Sequence, residues 1–414
     1  MCSTKKTSVA LLREETFRSI EKGTLAPADE AALLKLGIIV PDREEEKRLM
    51  LDYINGLNAR NSELNMTAVL NLDCNFACTY CFEGGMKGKR YMSRETAGLL
   101  VKFIQDRFSG IKTSLSVTFY GGEPLLSLDL IVFISEALKA FAAERAAQYT
   151  FNMITNGSLF TRSVAERLIP LGLRGAKITL DGPAEVHNRC RPFKSGAGSF
   201  DAVMKNIKDT CDLVKISIGG NYQKENYARF PELLDLLESS GITPAYVSKV
   251  KFDPVAGRPD REGATVDFAD GCLSLNEPWL VDASLLLREA ILRKGYDVPK
   301  LRPLPCQLEV NDAYVSNFDG TLYKCPALIG IKDFEIGSLR EEIKGENDSP
   351  YPGIWKNKEC LECAYLPLCF GGCRYMAYVR GGNIEKVDCK RPYLDAALET
   401  IVSQDIRYRG VPVK

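Results

Sequence analysis

The chain has 414 residues, 45% of them apolar, and its 54 basic side chains balance 54 acidic ones. That length suits two or three domains with full cores, and a formal net charge of zero excludes the strong polyelectrolyte attraction on which nucleic-acid binding relies. No stretch approaches the roughly 18 apolar residues of a membrane span, and the run Val9 to Leu12 before Arg13 is too short for the apolar core of a signal peptide. A cytoplasmic protein with no nucleic-acid and no membrane partner is therefore expected.

Residues 1–65 read as helical, with apolar positions at Leu11, Phe17, Leu33, Leu34 and Leu36. Gly37, a short apolar run Ile38 to Val40, Pro41 and a charged helix rich in glutamate and lysine follow. The mainly apolar run Thr67 to Asp73 predicts a strand and leads into Cys74-Asn-Phe-Ala-Cys78-Thr-Tyr80-Cys81. Three thiolates are one fewer than the four irons of a cubane, so a [4Fe-4S] cluster held there would keep one iron open to an outside ligand. A structural zinc site with a distant fourth ligand also fits three close cysteines, although zinc ligands more often come in pairs.

A helix is predicted from about Ser93, with apolar spacing through Leu99, Leu100 and Phe103. The β-branched and aromatic run Leu115 to Tyr120 predicts a buried strand that stops at Gly121-Gly122-Glu123-Pro124. Two glycines let a backbone pass close to a ligand and the proline fixes the exit turn, but the same residues suit an ordinary strand-to-helix turn. After a helix from about Leu128 to Ala143, further strands are predicted at Tyr149 to Thr155, Ala176 to Leu180, Val214 to Ile218 and Ala245 to Lys251. Helices near Arg162, Phe200 and Arg229 separate them. Strand–helix alternation implies a parallel sheet with right-handed crossovers and an active site at the C-terminal strand ends. Cys74 and Gly121 both fall at such ends, as do Thr155-Asn156-Gly157 and Asp181-Gly182-Pro183, which are also ordinary turn chemistry. His187, the single histidine, caps a loop as readily as it serves as acid or base, so no catalytic role is assigned to it.

Fourteen cysteines in a reducing compartment call for ligands rather than disulfides. Three form the triplet, seven lie beyond residue 305, and Cys2, Cys190, Cys211 and Cys272 are scattered as small buried hydrophobes. The seven read Cys306, Cys325, Cys360-x2-Cys363-x5-Cys369-x3-Cys373 and Cys389, a density that points to metal, zinc or iron–sulfur.

The triplet with Tyr80 before its last cysteine resembles the radical S-adenosylmethionine (SAM) enzymes, and the turn at Gly121 resembles that family's second motif. The seven later cysteines, with Gly320 five residues before Cys325, resemble its SPASM extension. The resemblance implies an α/β fold, a partial (β/α)6 TIM-like barrel (66–255). It also implies a small N-terminal α/β segment (1–65), a bridge (256–300), a cysteine-rich SPASM domain (301–400) and a tail (401–414).

Carried over residue by residue, Cys74, Cys78 and Cys81 are the catalytic ligands of the SAM-binding [4Fe-4S] cluster. Gly121, Gly122, Glu123 and Pro124 receive SAM, and Tyr80, Asn156, Thr179 and Arg191 are its further contacts. Cys360, Cys363, Cys369 and Cys389 would hold one auxiliary [4Fe-4S] cluster, and Cys306, Cys325 and Cys373 the other, with an open iron or Cys272 as its fourth ligand. The N-terminal segment resembles leader-binding segments of peptide maturases. The implied partners are a precursor peptide with its leader and a reductant such as flavodoxin or ferredoxin. The expected activity is hydrogen abstraction from a ribosomally made peptide to form a crosslink, a cysteine thioether. Carbon–carbon crosslinking and sulfatase maturation are the alternatives within the fold, and electron transfer without SAM cleavage is the alternative outside it. In sulfatase maturation the proposed base is an aspartate directly after the cysteine matching Cys325; here that residue is Pro326.

Overall fold

A computed structural model describes residues 1–81, 83–257, 276–341 and 353–410. The chain divides into two compact units, one of Arg60–Val298 with Val310–Pro350, the other of Met1–Ala59, Pro299–Glu309 and Tyr351–Lys414. Cys272 lies outside the described residues. No helix among the described residues is long and apolar enough to cross a membrane.

The first unit is built on a nine-stranded sheet. Strands β1 (Glu63–Val69), β2 (Ser114–Tyr120), β3 (Gln148–Thr155), β4 (Leu173–Thr179), β5 (Lys215–Tyr222) and β6 (Val247–Pro254) lie side by side in chain order, all parallel. Beyond β1 the sheet continues with β7 (Ala313–Ser316), parallel to β1, and the antiparallel β8 (Thr321–Tyr323) and β9 (Gly337–Ser338).

Side chains alternate along each strand, and the two faces differ in chemistry. Leu115, Val117 and Phe119 of β2 are buried on the helix side, under helices such as Arg94–Arg107 and Leu128–Glu144. The first begins where the Ser93 hydroxyl accepts the Thr96 N–H (3.0 Å) and buries Ala97, Leu100, Val101 and Ile104 at helical spacing. Each large apolar side chain so buried stabilises the unit by about 2 kcal/mol. The opposite face presents Thr67, Thr118, Lys177 and Asn221 to a cavity, rather than the layered aliphatic filling of a closed barrel.

The six expected strands and five expected helices form, with shifted ends. β1 starts at Glu63 and stops at Val69, because the chain then swings across the next strand: Leu70 N–H donates to the Tyr120 carbonyl (3.0 Å) and Leu72 N–H to that of Arg90 (2.9 Å). The helices Ala184–Cys190, Pro278–Arg293 and Arg391–Arg409 and the short strands β7 to β9 are additions. Gly320, at φ 91°, closes the β7–β8 hairpin, and Cys325 follows β8.

In the second unit, the α/β segment expected at the N-terminus is helical, apart from one bridge between Cys2 and Val9. Its helices are Glu14–Lys22, Pro27–Leu36, Arg43–Leu51 and Tyr53–Ala59. Leu11 and Phe17 are exposed, whereas Met50 and Ile54 pack with Trp355, Leu366 and Phe370. The charged helix starts on Asp42, which accepts the Glu44 N–H (2.8 Å), and its Lys47 pairs with Glu362 (2.5 Å), between Cys360 and Cys363. The first residues of the chain therefore build the core that carries the last cysteines.

His187 is a core residue. Its Nδ1 accepts the Asp181 N–H (3.1 Å), which leaves the proton on Nε2, 3.0 Å from the Ser199 hydroxyl. Burial holds its pKa down to about 3.

Two predictions follow from this packing. The Gly121–Gly122 turn lies directly on the backbone of residues 71–73: Gly122 N–H donates to the Asn71 carbonyl (3.0 Å) and Glu123 N–H to that of Asp73 (2.8 Å). A Cβ on Gly122 would overlap the Asp73 carbonyl. Gly122→Ala should therefore cost about 3 kcal/mol or more, read as a lower thermal unfolding midpoint; an unchanged midpoint would contradict the packing. His187 is neutral when folded and protonates near 6.5 when unfolded, so its contribution is complete above pH 6.5 and shrinks as pH falls toward 3. At pH 5 the loss is about 2 kcal/mol. Between pH 7 and 5 the apo protein should lose stability more steeply than His187→Gln; parallel curves would refute the assignment.

Candidate active site

The C-terminal ends of the parallel strands open into a cavity of about 450 Å³. Cys74, Cys78 and Cys81 all line it, as do Tyr80, Gly121 and Gly122, and so do Asn156, Thr179 and Arg191 from the ends of β3 and β4 and the helix after β4. Residues more than a hundred positions apart thus share one space.

The triplet loop is fastened at several points. Asp73 accepts the Cys74 N–H (2.9 Å) and the Lys194 ammonium (2.7 Å) on one oxygen and the Tyr91 hydroxyl (2.6 Å) on the other. Ala77 and Thr79 donate to the carbonyls of Pro192 and Cys190, and Phe76 packs edge-on against Phe193. The Cys74 sulfur accepts the Phe76 N–H (3.4 Å) and the Asn156 amide (3.6 Å). Burial pushes the Cys74 thiol up to about 11, so its thiolate needs a nearby cation or metal. Lys87 supplies a cation: its ammonium hydrogen-bonds the Cys81 thiol and lies within electrostatic reach of the other two.

Tyr80 organises the opposite wall. Its hydroxyl donates to Asp181 and accepts from Arg191 Nη1 (2.8 Å) and the Asn221 amide (3.2 Å), while Asp181 also accepts the Asn221 N–H (2.8 Å). The Arg191 Nε has no hydrogen-bond partner although it is buried. An orphaned guanidinium donor near the Cys78 thiol, in the cavity that all three thiols line, suits an anionic group such as the SAM carboxylate, so the residues fit the cofactor the motifs imply.

Glu123 and Pro124 do not line this cavity. The Glu123 carboxylate accepts the Thr155 hydroxyl (2.7 Å) and the N–H groups of Asn156 (2.8 Å) and Leu125 (3.1 Å), bracing the end of β2 against that of β3. Asn156 likewise gives its amide to Asn75 (2.8 Å) as well as Cys74. The site also uses Lys87, Asp181, Asn221 and Lys177, to which the sequence alone gives no role. Asp181 opens the turn Asp181-Gly182-Pro183; the others are single polar residues without spacing to mark them. Lys177 points over Gly219, where a Cβ would come 2.6 Å from its Cε, and burial lowers its pKa.

Of the later cysteines, Cys325 belongs to the barrel unit and the other six to the second unit. There Cys360 lies within electrostatic reach of Cys363, Cys369 and Cys389, and Cys306 of Cys373. Backbone N–H groups of Gly371 and Lys390 point at Cys369, and those of Leu308 and Arg374 at Cys306, the kind of hydrogen bond to sulfur that tunes an iron–sulfur cluster. Among the described residues no three His, Cys, Asp or Glu side chains converge as ligands of one ion would; a cubane binds each thiolate at a separate iron. Cys190 packs with Tyr80, Val186 and Val255 as a small hydrophobe.

Residues 70–237 match the Radical SAM superfamily. Fe-coproporphyrin III synthase of Methanosarcina barkeri is 27% identical over 172 residues, so that the match spans 41% of this chain and 39% of that protein. The cysteine-type anaerobic sulfatase-maturating enzyme of Clostridium perfringens is 23% identical over 345 residues, 73% of this chain and 86% of the relative. PqqA peptide cyclase of Granulibacter bethesdensis is 23% identical over 352 residues, 78% and 86% of the two chains. Among solved structures, anSMEcpe with bound AdoMet and Cp18Cys peptide aligns at a TM-score of 0.65 and 16% identity over 84% of this chain and 98% of the other. Streptococcus suis SuiB bound to precursor peptide SuiA aligns at 0.57 and 16% over 91% and 87%. These two share the fold. The triplet, the glycine turn and Arg191 all lie inside residues 70–237, so this segment of the chain is a Radical SAM domain.

Proposed function

We propose that this protein is a peptide maturase, which takes a hydrogen atom from an unactivated carbon of a ribosomally made precursor peptide and closes a crosslink, a thioether from cysteine. The observation that carries this reading is the one cavity that runs from the cysteine triplet to the polar lumen residues Thr67, Thr118, Lys177 and Asn221. A lumen lined by hydrogen-bonding groups suits a polar chain better than an apolar ligand. Peptides occupy the related structures: anSMEcpe holds the Cp18Cys peptide and SuiB the precursor peptide SuiA.

A [4Fe-4S] cluster held by Cys74, Cys78 and Cys81 would, once reduced by a flavodoxin or ferredoxin, supply the 5′-deoxyadenosyl radical from SAM. The chain's own residues hold and orient. Arg191 would offer its free Nε to the SAM carboxylate, fixed by Tyr80 and Asp181. Gly121 and Gly122 would present backbone to the SAM amino group, and Thr179 would stand beside the ribose. Closing a thioether removes two hydrogens: one atom goes to the radical, and the other leaves as a proton and an electron. The auxiliary sets, Cys360, Cys363, Cys369 and Cys389, and Cys306, Cys325 and Cys373, would take that electron or bind the substrate thiolate. Pro326, at the position of the proposed base of sulfatase maturation, lines the cavity without a proton-accepting group, which supports crosslinking over formylglycine formation.

After anaerobic reconstitution with iron and sulfide, dithionite and SAM should yield 5′-deoxyadenosine from the wild type and none from the Cys74→Ala, Cys78→Ala, Cys81→Ala variant. No product from fully loaded wild type, with candidate peptides present, would favour electron transfer instead. Mass spectrometry of the peptide distinguishes the bonds: loss of two hydrogens with a blocked cysteine marks the thioether, and the same loss with free cysteine a carbon–carbon bond. Arg191→Met should keep its iron and bind SAM about 10- to 100-fold more weakly, as expected for a lost charged hydrogen bond; equilibrium binding with unchanged affinity would remove Arg191 from the SAM site.

A further inference from the structure

The second unit buries an arginine at its cysteines. Arg374 directly follows Cys373 and opens the helix Arg374–Gly381; its side chain is 0% exposed. One guanidinium nitrogen, Nη2, bonds the Glu309 carboxylate at 2.5 Å, and the other oxygen of that carboxylate accepts the Trp355 indole N–H (2.8 Å). Nε and Nη1 have no hydrogen-bond partner. A guanidinium carries five N–H donors, and leaving the three on Nε and Nη1 unmet in a buried site is costly. Glu309 balances the charge on one side only.

The ionisable groups near the guanidinium, apart from Glu309, are cysteines. The thiols of Cys306, Cys373 and Cys360 lie within electrostatic reach of the guanidinium, and the Arg374 backbone N–H already donates to the Cys306 thiol. Room for Nη1 is kept by Gly371, whose φ is 76° and where a Cβ would sit 3.2 Å from that nitrogen. Trp355 and Phe370, both fully buried and packed edge-to-face (5.4 Å), close the pocket from the side of the core. The missing partner is therefore anionic and sulfur-rich.

We propose that Arg374, clamped by Glu309 and Trp355, donates its remaining N–H groups to the auxiliary cluster that Cys306 and Cys373 help to hold, and thereby raises that cluster's reduction potential. The inference rests on the reading of the late cysteines as cluster ligands. A reduced cluster is one charge more negative than an oxidised one, so a fixed buried cation with hydrogen bonds to sulfur favours the reduced form. Arg374 acts here as a positioning and tuning residue, suited to a cluster that accepts an electron when a bond closes.

The test uses the full chain carrying Cys74→Ala, Cys78→Ala and Cys81→Ala, so that only auxiliary clusters load. After anaerobic reconstitution, iron and sulfide should each be about eight per chain; none bound would overturn the cluster reading itself, separately from Arg374. On that background, an EPR-monitored redox titration should show one midpoint moved to lower potential in Arg374→Met, a smaller shift in Arg374→Lys, and the second midpoint unmoved. Full iron with unshifted midpoints in Arg374→Met would overturn the proposal. If Arg374→Met loses iron, Glu309→Gln provides the second measurement: with the arginine kept and its counter-charge removed, the same midpoint should rise, and an unmoved midpoint would reduce Arg374 to a packing role.

Discussion

The close approach of two backbone segments, residues 71–73 and 121–123, holds the candidate site together. Two N–H to carbonyl bonds join them, and the Asn71 side chain adds bonds to the Glu123 carbonyl and the Ser127 hydroxyl (3.0 and 2.8 Å). Without side chains at positions 121 and 122 the two segments can touch, and the triplet loop leaves from that junction. The glycines thus serve the protein's own backbone as much as a ligand. Glu123 extends the junction sideways to β3 through Thr155 and Asn156, so three successive strand ends are tied before any cofactor contributes.

Charge in the barrel unit is placed with similar economy. Lys87 stands at the thiols, Arg191 at the wall shared with Tyr80 and Asp181, and Lys177 in the lumen. A site that gathers three cations is organised for anions: thiolates, a carboxylate, and whatever negative group a substrate brings. The neutral His187 fits this pattern, since it holds the Asp181 backbone and Ser199 without adding charge.

The cysteine-rich unit solves a different problem. Its short helices, Lys358–Leu361 and Leu366–Cys369, are too brief to form a core alone. Residues from the far end of the chain complete it: Tyr53 stacks on Phe370 at 5.4 Å, and the Thr4 hydroxyl donates to the Ala364 carbonyl (2.6 Å). The chain's first helices are thus structural for its last cysteines.

Period-two and helical patterns were strong enough in the sequence to locate six strands and their crossovers, because one face of each is filled by helices and the alternation survives in residues such as Leu115, Val117 and Phe119. The triplet and the Gly121–Pro124 turn were legible for a chemical reason, since iron needs thiolates at close spacing and a tight turn needs glycine. Strands of two to four residues such as β7, β8 and β9 carry too few side chains for a period to show. Single polar residues behave likewise: nothing near Lys87, Lys177 or Arg374 in the sequence separates them from the many exposed lysines and arginines. Glu123 was legible as a motif but not in its role, because whether a carboxylate faces a cavity or a neighbouring strand depends on backbone direction. The sequence by itself determined which atoms were available for metal and cofactor chemistry. Tertiary structure decided which of them face one another, because those contacts join residues separated by tens to hundreds of positions.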